Sequence, residues 1–323
     1  MLKLRLKPDE MLAIHTRMQA LAGQLRLPLR GKVWRGQNGN WLGAGTGSSI
    51  DFQDHRPYIA GDDPRYIDWQ AYARTGHYTM KLYREEVSPR VDVALDLSDS
   101  MALTPEKEAR SLELFYFAIE SALRTGASLN AFLILGDHVW RRTSEELFGH
   151  RWQPSPESIA AATGKAAAGA DAAAGNRKRG AADTTAVKTS AYPKLASVPW
   201  RQGALRVFVS DLLFPGAPDP AVKALVAAKG RCVIYAPAAA EEADPDWNGN
   251  IKFVDCESDN HRDQRVDPGL LERYRQAYQR HFALWQETCR RYDALIARVP
   301  AEGPLLAALK ADALAQGAVE MLN

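Results

Sequence analysis

From Arg90 onward, short apolar runs alternate with longer amphipathic or polar segments, and this alternation limits the possible folds more than any other feature of the sequence. Apolar runs of about four to eight residues that are rich in β-branched side chains are typical of strands buried on both faces. Buried strands separated by helices predict a mostly parallel, doubly wound α/β sheet. Five runs fit this description: Val91–Leu95, Ser128–Leu135, Leu205–Val209, Arg231–Ala236 and Ile251–Asp255.

A helix with clear end signals is predicted between the first two strands. Thr104 is a suitable N-cap, Pro105 stands in the first turn, and Gly126 follows the end of the pattern. Apolar residues at three- and four-residue spacing form its predicted inner face: Leu112, Phe115, Tyr116, Ile119 and Leu123. The same spacing over residues 8–25 predicts an N-terminal helix.

The predicted elements divide the 323 residues into an N-terminal helix with an irregular, β-containing subdomain, an α/β domain, and C-terminal helices on that domain: residues 1–89, 90–265 and 266–323. The last part is predicted to hold a long aromatic helix from Pro268 to about Val299 and a shorter one from Pro304 to Ala315. Residues 160–190 are poor in large apolar side chains, which predicts a mobile surface insertion.

Composition excludes several classes of function. The formal net charge is +2 and there is no sustained basic block, so nucleic acid is not the expected partner. The three cysteines lack C-x-x-C spacing, which argues against a disulfide framework or a thiolate zinc site. No secretory signal and no apolar run of the ~20 residues needed to span a bilayer are seen, so a cytoplasmic location is expected.

Oxygen-bearing side chains follow two of the predicted strands. Asp96, Ser98 and Ser100 come directly after the first strand, and Asp211 follows the third. In an open parallel sheet the carboxyl ends of the strands share one edge, so these side chains are predicted to converge. Hydroxyls and carboxylates suit a hard ion such as Mg²⁺ or Mn²⁺. The alternative is that the serines only cap the following turn while Asp96 accepts hydrogen bonds from backbone amides.

Several motifs resemble one bacterial family. GDDPRYIDW at residues 61–69, AR at 73–74, EE at 85–86 and DLSDSM at 96–101 are similar to the family catalogued as domain of unknown function 58. The resemblance runs from about Gly45 to the C-terminal helices. It implies a von Willebrand factor A-like domain and a gene commonly placed beside one for a MoxR-type AAA+ ATPase.

The resemblance also implies a metal-ion-dependent adhesion site. Asp96, Ser98 and Ser100 would form its first motif and Asp211 its last. A threonine, usually after glycine, belongs between them, and none is assigned because no candidate follows a glycine: Thr184, Thr185 and Thr189.

The GDDPRYIDW stretch allows two interpretations. It could form a partner-binding or catalytic surface, given its mixture of charge and aromatic rings. The structural interpretation, which we prefer from the sequence, pairs arginines with nearby aspartates: Arg65 and Arg74 with Asp62 and Asp68. Trp69 would then be buried between these pairs.

Three functions remain open at this stage. The first is a non-enzymatic adaptor that uses a divalent ion to bind an acidic residue of a protein, by resemblance a MoxR-type AAA+ ATPase or its client, during assembly or maturation of other proteins. The second is a metal-dependent phosphoesterase, since hydroxyls, aspartates and Mg²⁺ also serve phosphoryl chemistry. The third is a structural scaffold with a vestigial metal site.

Overall fold

The computed structural model describes residues 6–29, 41–46, 52–163, 192–257 and 260–322. Most of the predicted insertion at residues 160–190 lies outside these ranges, as do the three threonine candidates. None of the helices in the described ranges is long and apolar enough to cross a lipid bilayer.

The strands of the described residues are β1 (Leu25–Arg26), β2 (Trp41–Thr46), β3 (Phe52–Pro57), β4 (Thr79–Val87), β5 (Arg90–Asp96), β6 (Ser128–Leu135), β7 (His138–Arg142), β8 (Leu205–Val209), β9 (Arg231–Ala238), β10 (Gly249–Val254), β11 (His261–Val266), β12 (Leu295–Pro300) and β13 (Glu320–Met321). The α-helices are α1 (Pro8–Leu21), α2 (Trp69–Thr75), α3 (Pro105–Arg124), α4 (Ser144–Phe148), α5 (Pro156–Thr163), α6 (Pro218–Val226), α7 (Ala240–Ala243), α8 (Pro268–Arg291) and α9 (Leu305–Ala308). Three 3₁₀ turns and one π turn complete the description: Pro64–Tyr66, Asp99–Ala102, Leu195–Ser197 and Leu309–Ala313.

A six-stranded sheet in the order β12-β9-β8-β5-β6-β7 forms the centre of the fold. Its strands are parallel except for β7, which pairs antiparallel with β6. The tight β6–β7 connection contains Gly136 at φ 55°, a left-handed conformation that glycine adopts readily. The prediction of a mostly parallel α/β sheet is therefore confirmed.

Helices cover both faces of this sheet. Along β5 the side chains of Val91, Val93 and Leu95 pack into one core with α1, α3 and α9, whereas Ala94 packs into a second core with α6 and α8. Thr104 caps α3 as predicted, since its side chain accepts a hydrogen bond from the Lys107 amide at 3.2 Å. The predicted inner face of α3 is buried except for Leu123, which is exposed at the end of the helix.

One predicted strand lies outside the main sheet. Residues 249–254 pair antiparallel with β11 and form a separate two-stranded hairpin. Exposed side chains recur at every second position of β10, including Lys252 and Val254, so this strand is not buried on both faces. The prediction that all five runs share one parallel sheet is therefore wrong for this run.

The prediction of a continuous helix to about Val299 is also wrong. Helix α8 ends at Arg291, and Asp293 turns the chain with φ 53°. Residues 295–300 then pair in parallel with β9 as the edge strand β12. The run Leu-Ile-Ala-Arg-Val suits a strand, because its β-branched side chains pack well on a pleated surface.

A smaller three-stranded antiparallel sheet precedes the main one. Its order is β2-β4-β3, and the turn Pro64–Tyr66 and helix α2 lie between β3 and β4. These strands lie within residues 1–89, the part for which the sequence predicts an irregular β-containing subdomain.

Candidate functional site

The loop after β5 brings two serine hydroxyls together at the carboxyl edge of the sheet. The Ser98 amide donates to Asp96 Oδ1 at 2.9 Å, which curls the chain just beyond the strand. The chain then enters the 3₁₀ turn Asp99–Ala102, and Ser98 Oγ lies 3.1 Å from Ser100 Oγ. Alternate residues of this loop therefore point the same way, as the sequence predicts.

The neighbouring strand β8 supplies the second half of the site. Ser210 directly follows this strand, and its hydroxyl donates to Asp96 Oδ2 at 2.7 Å. The next residue, Asp211, accepts a hydrogen bond from the Leu213 amide at 3.1 Å. Leu212, which lies between Asp211 and Leu213, has a backbone φ of 62°. This left-handed conformation is unusual for a residue with a bulky side chain and is often found in functional loops.

A buried lysine that the sequence interpretation missed stands behind Asp211. Lys107 Nζ donates to Asp211 Oδ2 at 2.7 Å and also to Glu242, and all three side chains are buried. Burial lowers the pKa of Lys107, but the charges of Asp211 and Glu242 outweigh burial and raise that pKa above its ordinary value. Lys107 therefore stays charged and compensates part of the negative charge at this edge.

No cationic side chain of the described residues pairs with Asp96, which accepts from the Ser98 amide and the Ser210 hydroxyl. Burial, and then the nearby charge of Asp211, raise the pKa of Asp96 to about 7, although hydrogen bonds from Ser210 and Ser98 oppose the increase. The Asp96 carboxyl group therefore titrates near neutral pH, and a nearby cation would favour its ionised form.

The site opens into a cavity of about 950 Å³. Ser98, Ser100 and Asp211 share its wall, and Trp247 and Tyr274 form part of another side. Five carboxylate residues of the described ranges line it: Asp211, Glu241, Glu242, Asp255 and Glu257. The cavity is therefore acidic and attracts cations.

Glu257, in the turn after β10, contacts the loop that carries Ser98 and Ser100. Its Oε1 accepts a hydrogen bond from the Ser100 amide at 2.8 Å. Burial raises the pKa of Glu257, and hydrogen bonds from the Ser100 and Asp99 amides only partly offset that effect. No sequence pattern marks this residue, which lies 157 positions from Ser100.

The serine pair fits a hard divalent ion in one measurable respect. Two neighbouring ligands of an octahedral Mg²⁺ lie about 2.9 Å apart when each metal–oxygen bond is about 2.0 to 2.1 Å. The two hydroxyl oxygens are 3.1 Å apart. In the described part of the chain, no three His, Cys, Asp or Glu side chains converge to hold a metal. Any ion at this edge would therefore depend on the serine hydroxyls.

The aspartates of the GDDPRYIDW stretch form ion pairs other than the predicted ones. Asp62 pairs with Arg56 at 2.6 Å, and Asp63 pairs with Arg65 at 2.6 Å. Asp68 accepts from the amides of Gln70 and Ala71 and thereby caps α2. The Asp68 carboxylate also lies 2.9 Å from the His55 ring and 3.6 Å from the Lys81 ammonium. The predicted pairing of Arg65 and Arg74 with Asp62 and Asp68 is therefore wrong.

Trp69 is exposed rather than buried. Its side chain is 59% exposed and contacts Tyr72 and Tyr78 edge to face, while those two tyrosine rings stack at 4.5 Å. The tryptophan is the first residue of the short helix α2, which packs against β4, and its ring faces outward. The prediction that Trp69 lies buried between ion pairs is wrong, and the stretch presents an aromatic surface.

Comparison with known proteins identifies one family. Residues 54–143 match the family model described as "Protein of unknown function DUF58". No curated protein and no solved structure matches the chain significantly. The matched segment includes the GDDPRYIDW stretch, the loop that carries Ser98 and Ser100, and β7. It is shorter than the part of the chain over which the sequence resembles the family. The matched segment contains the motifs at residues 61–69 and 96–101, and over residues 54–143 the chain is similar to the DUF58 family, as those motifs predict.

Proposed function

We propose that this protein is a non-enzymatic adaptor that binds an acidic side chain of a partner protein through a divalent ion. Ser98 and Ser100 would hold the ion, with Asp96 and Asp211 behind them. Mg²⁺ or Mn²⁺, when bound, would supply a positive charge with a position left open for a carboxylate. The observation that carries this proposal is the pair of serine hydroxyls 3.1 Å apart at the mouth of an acidic cavity.

The charge of the cavity makes the ion necessary for this function. The lining carboxylates repel a partner's carboxylate, and Lys107 compensates only the pair that it contacts, Asp211 and Glu242. A partner's acidic residue can therefore bind favourably only when a cation is present between the two sets of negative charges. We expect partner binding to depend steeply on the divalent ion.

The partner class rests on the family resemblance. A MoxR-type AAA+ ATPase or one of its clients is the proposed partner, and assistance in the assembly or maturation of other proteins is the proposed role. The exposed aromatic surface around Trp69 supports a role in protein binding, because aromatic side chains are enriched where proteins associate.

A phosphoesterase is a weaker proposal. Phosphoryl chemistry needs a cation that reaches the transferred group. Lys107 stands beside the site, but it is fully buried and already donates to two carboxylates. It therefore stabilises the fold of the site and is badly placed to bind a phosphoryl group.

Capture of partners from a cell extract tests the adaptor proposal. Immobilised wild-type protein should retain a defined set of proteins in Mg²⁺ and release them when chelator is added. Asp96→Asn should retain none of the chelator-sensitive set, because it removes the charge behind the serine pair while keeping the shape of the side chain. The matched control is Asp9→Ala, an exposed aspartate in α1, which should behave like wild type. Identical capture by all three proteins, with and without chelator, would contradict the proposal.

A further inference from the structure

The carboxylate of Glu257 lies against the proposed ion ligands. Its Oε1 accepts from the Ser100 amide at 2.8 Å, and it also forms a hydrogen bond with the Ser100 side chain. Ser100 is in turn 3.1 Å from Ser98 through their hydroxyls. Glu257 therefore contacts one of the two proposed ligand residues directly and the other through it.

This carboxylate has no cation to compensate it within the described residues. Its surroundings are backbone amides, a hydroxyl and the like charge of Asp99. A partly buried carboxylate in such surroundings is unfavourable unless a positive charge lies close by. The ion proposed at Ser98 and Ser100 would be that charge.

The segment that carries Glu257 belongs to a hairpin that does not pair with the main sheet. Strands β10 and β11 pair with each other and lie outside the main sheet. An aromatic contact anchors the hairpin: Trp247 packs against Phe253 of β10 and Tyr274 of α8, with ring centroids 5.0 and 5.2 Å apart. The Glu257 amide donates to Asp255 Oδ1 at 3.0 Å, which sets the local turn. The hairpin is therefore held to the rest of the protein by packing and not by pairing with the main sheet, and its opening would carry the carboxylate away from the loop.

We propose that the Glu257 carboxylate is the chain's own ligand to the divalent ion at Ser98 and Ser100, and that a partner's carboxylate must displace it. This inference rests on the adaptor function proposed above and adds its regulation. The site is closed by its own side chain in the absence of a partner. Only a partner that competes with Glu257 gains access to the ion, which limits binding to proteins with a well-placed acidic residue.

Glu257→Gln is the variant that tests this inference. Glutamine keeps the size of the side chain and an oxygen that accepts from the Ser100 amide, so the fold should persist. It loses the negative charge, and we expect the dissociation constant for Mn²⁺ to rise about tenfold. The matched control is Glu241→Gln, an exposed glutamate that lines the same cavity and belongs to α7. We expect a change of less than about twofold there, since exposed charges are well screened.

Water proton relaxation by bound Mn²⁺ gives a second readout. In the wild type Glu257 excludes a water from the ion, so Glu257→Gln should raise the relaxivity of the Mn²⁺ complex. Acetate, a minimal carboxylate probe, should then lower that relaxivity in Glu257→Gln and change it much less in wild type. If wild type binds Mn²⁺ but Glu257→Gln matches it in affinity and relaxivity, this inference alone is overturned. If wild type binds no Mn²⁺, both this inference and the adaptor function fail.

Discussion

Replacing Lys107 with methionine should lower the free energy of unfolding by about 3 to 5 kcal/mol, because it leaves two buried carboxylates without their shared cation. Lys107 is fully buried and donates to both Asp211 and Glu242. Methionine fills a similar volume, so the expected loss comes from electrostatics rather than from a cavity. Urea denaturation of the metal-free protein at neutral pH measures the change.

Two further variants make this expectation specific. Lys223→Met removes an exposed lysine that pairs with Asp219 one helical turn away, and it should leave the free energy of unfolding nearly unchanged, because exposed ion pairs are well screened by solvent. Adding Glu242→Gln to Lys107→Met should recover part of the loss, because one of the two uncompensated charges is then removed. A loss below about 1 kcal/mol for Lys107→Met would show that Asp211 and Glu242 do not need the lysine.

Asp96→Asn should stabilise the metal-free protein at pH 8 by about 4 kcal/mol. Burial and the charge of Asp211 raise the pKa of Asp96 from its ordinary value of 3.8 to about 7 in the folded state. The folded protein therefore holds this proton more tightly than the unfolded chain. The stabilisation from that proton is fully present below about pH 4 and is lost as pH rises to about 7. Asparagine remains neutral throughout, and it keeps an oxygen acceptor for the Ser98 amide.

Denaturation in chelator from pH 4 to pH 8.5 measures this difference. Wild type and Asp96→Asn should be similarly stable at the acidic end, and their difference should grow up to about pH 7 and then stay constant. A pH-independent difference, or a variant that is less stable at pH 8, would contradict the assigned pKa shift. The same variant should lose partner capture, so loss of function would coincide with a gain in stability rather than with misfolding.

The four predicted site residues lie at one edge of the sheet because the topology requires it. Asp96 and Asp211 follow neighbouring parallel strands, and the carboxyl ends of such strands share an edge. Lys107 carries a weaker sequence signal, because it stands four and eight positions before Ser111 and Phe115, which are buried on the same helical face. A lysine on the inner face of a helix indicates a buried ion pair.

Glu257 and Trp69 lay beyond what sequence patterns could predict. The contact between Glu257 and Ser100 depends on where an isolated hairpin packs, and no periodicity encodes that placement. Trp69 was predicted to be buried because aromatic side chains usually are. Its position at the start of the short helix α2, next to the capping residue Asp68, turns it outward instead.

Mg²⁺ titration by calorimetry tests the central claim, which is that Ser98 and Ser100 hold a divalent ion. Wild-type protein freed of metal should bind one Mg²⁺ per chain, and Ser98→Ala and Ser100→Ala should each weaken that binding at least about tenfold, since each removes a ligand oxygen. Ser197→Ala, which removes an exposed hydroxyl that donates to the Lys194 carbonyl, should bind like wild type. Absence of Mg²⁺ binding by wild type, or equal binding by all four proteins, would contradict the claim.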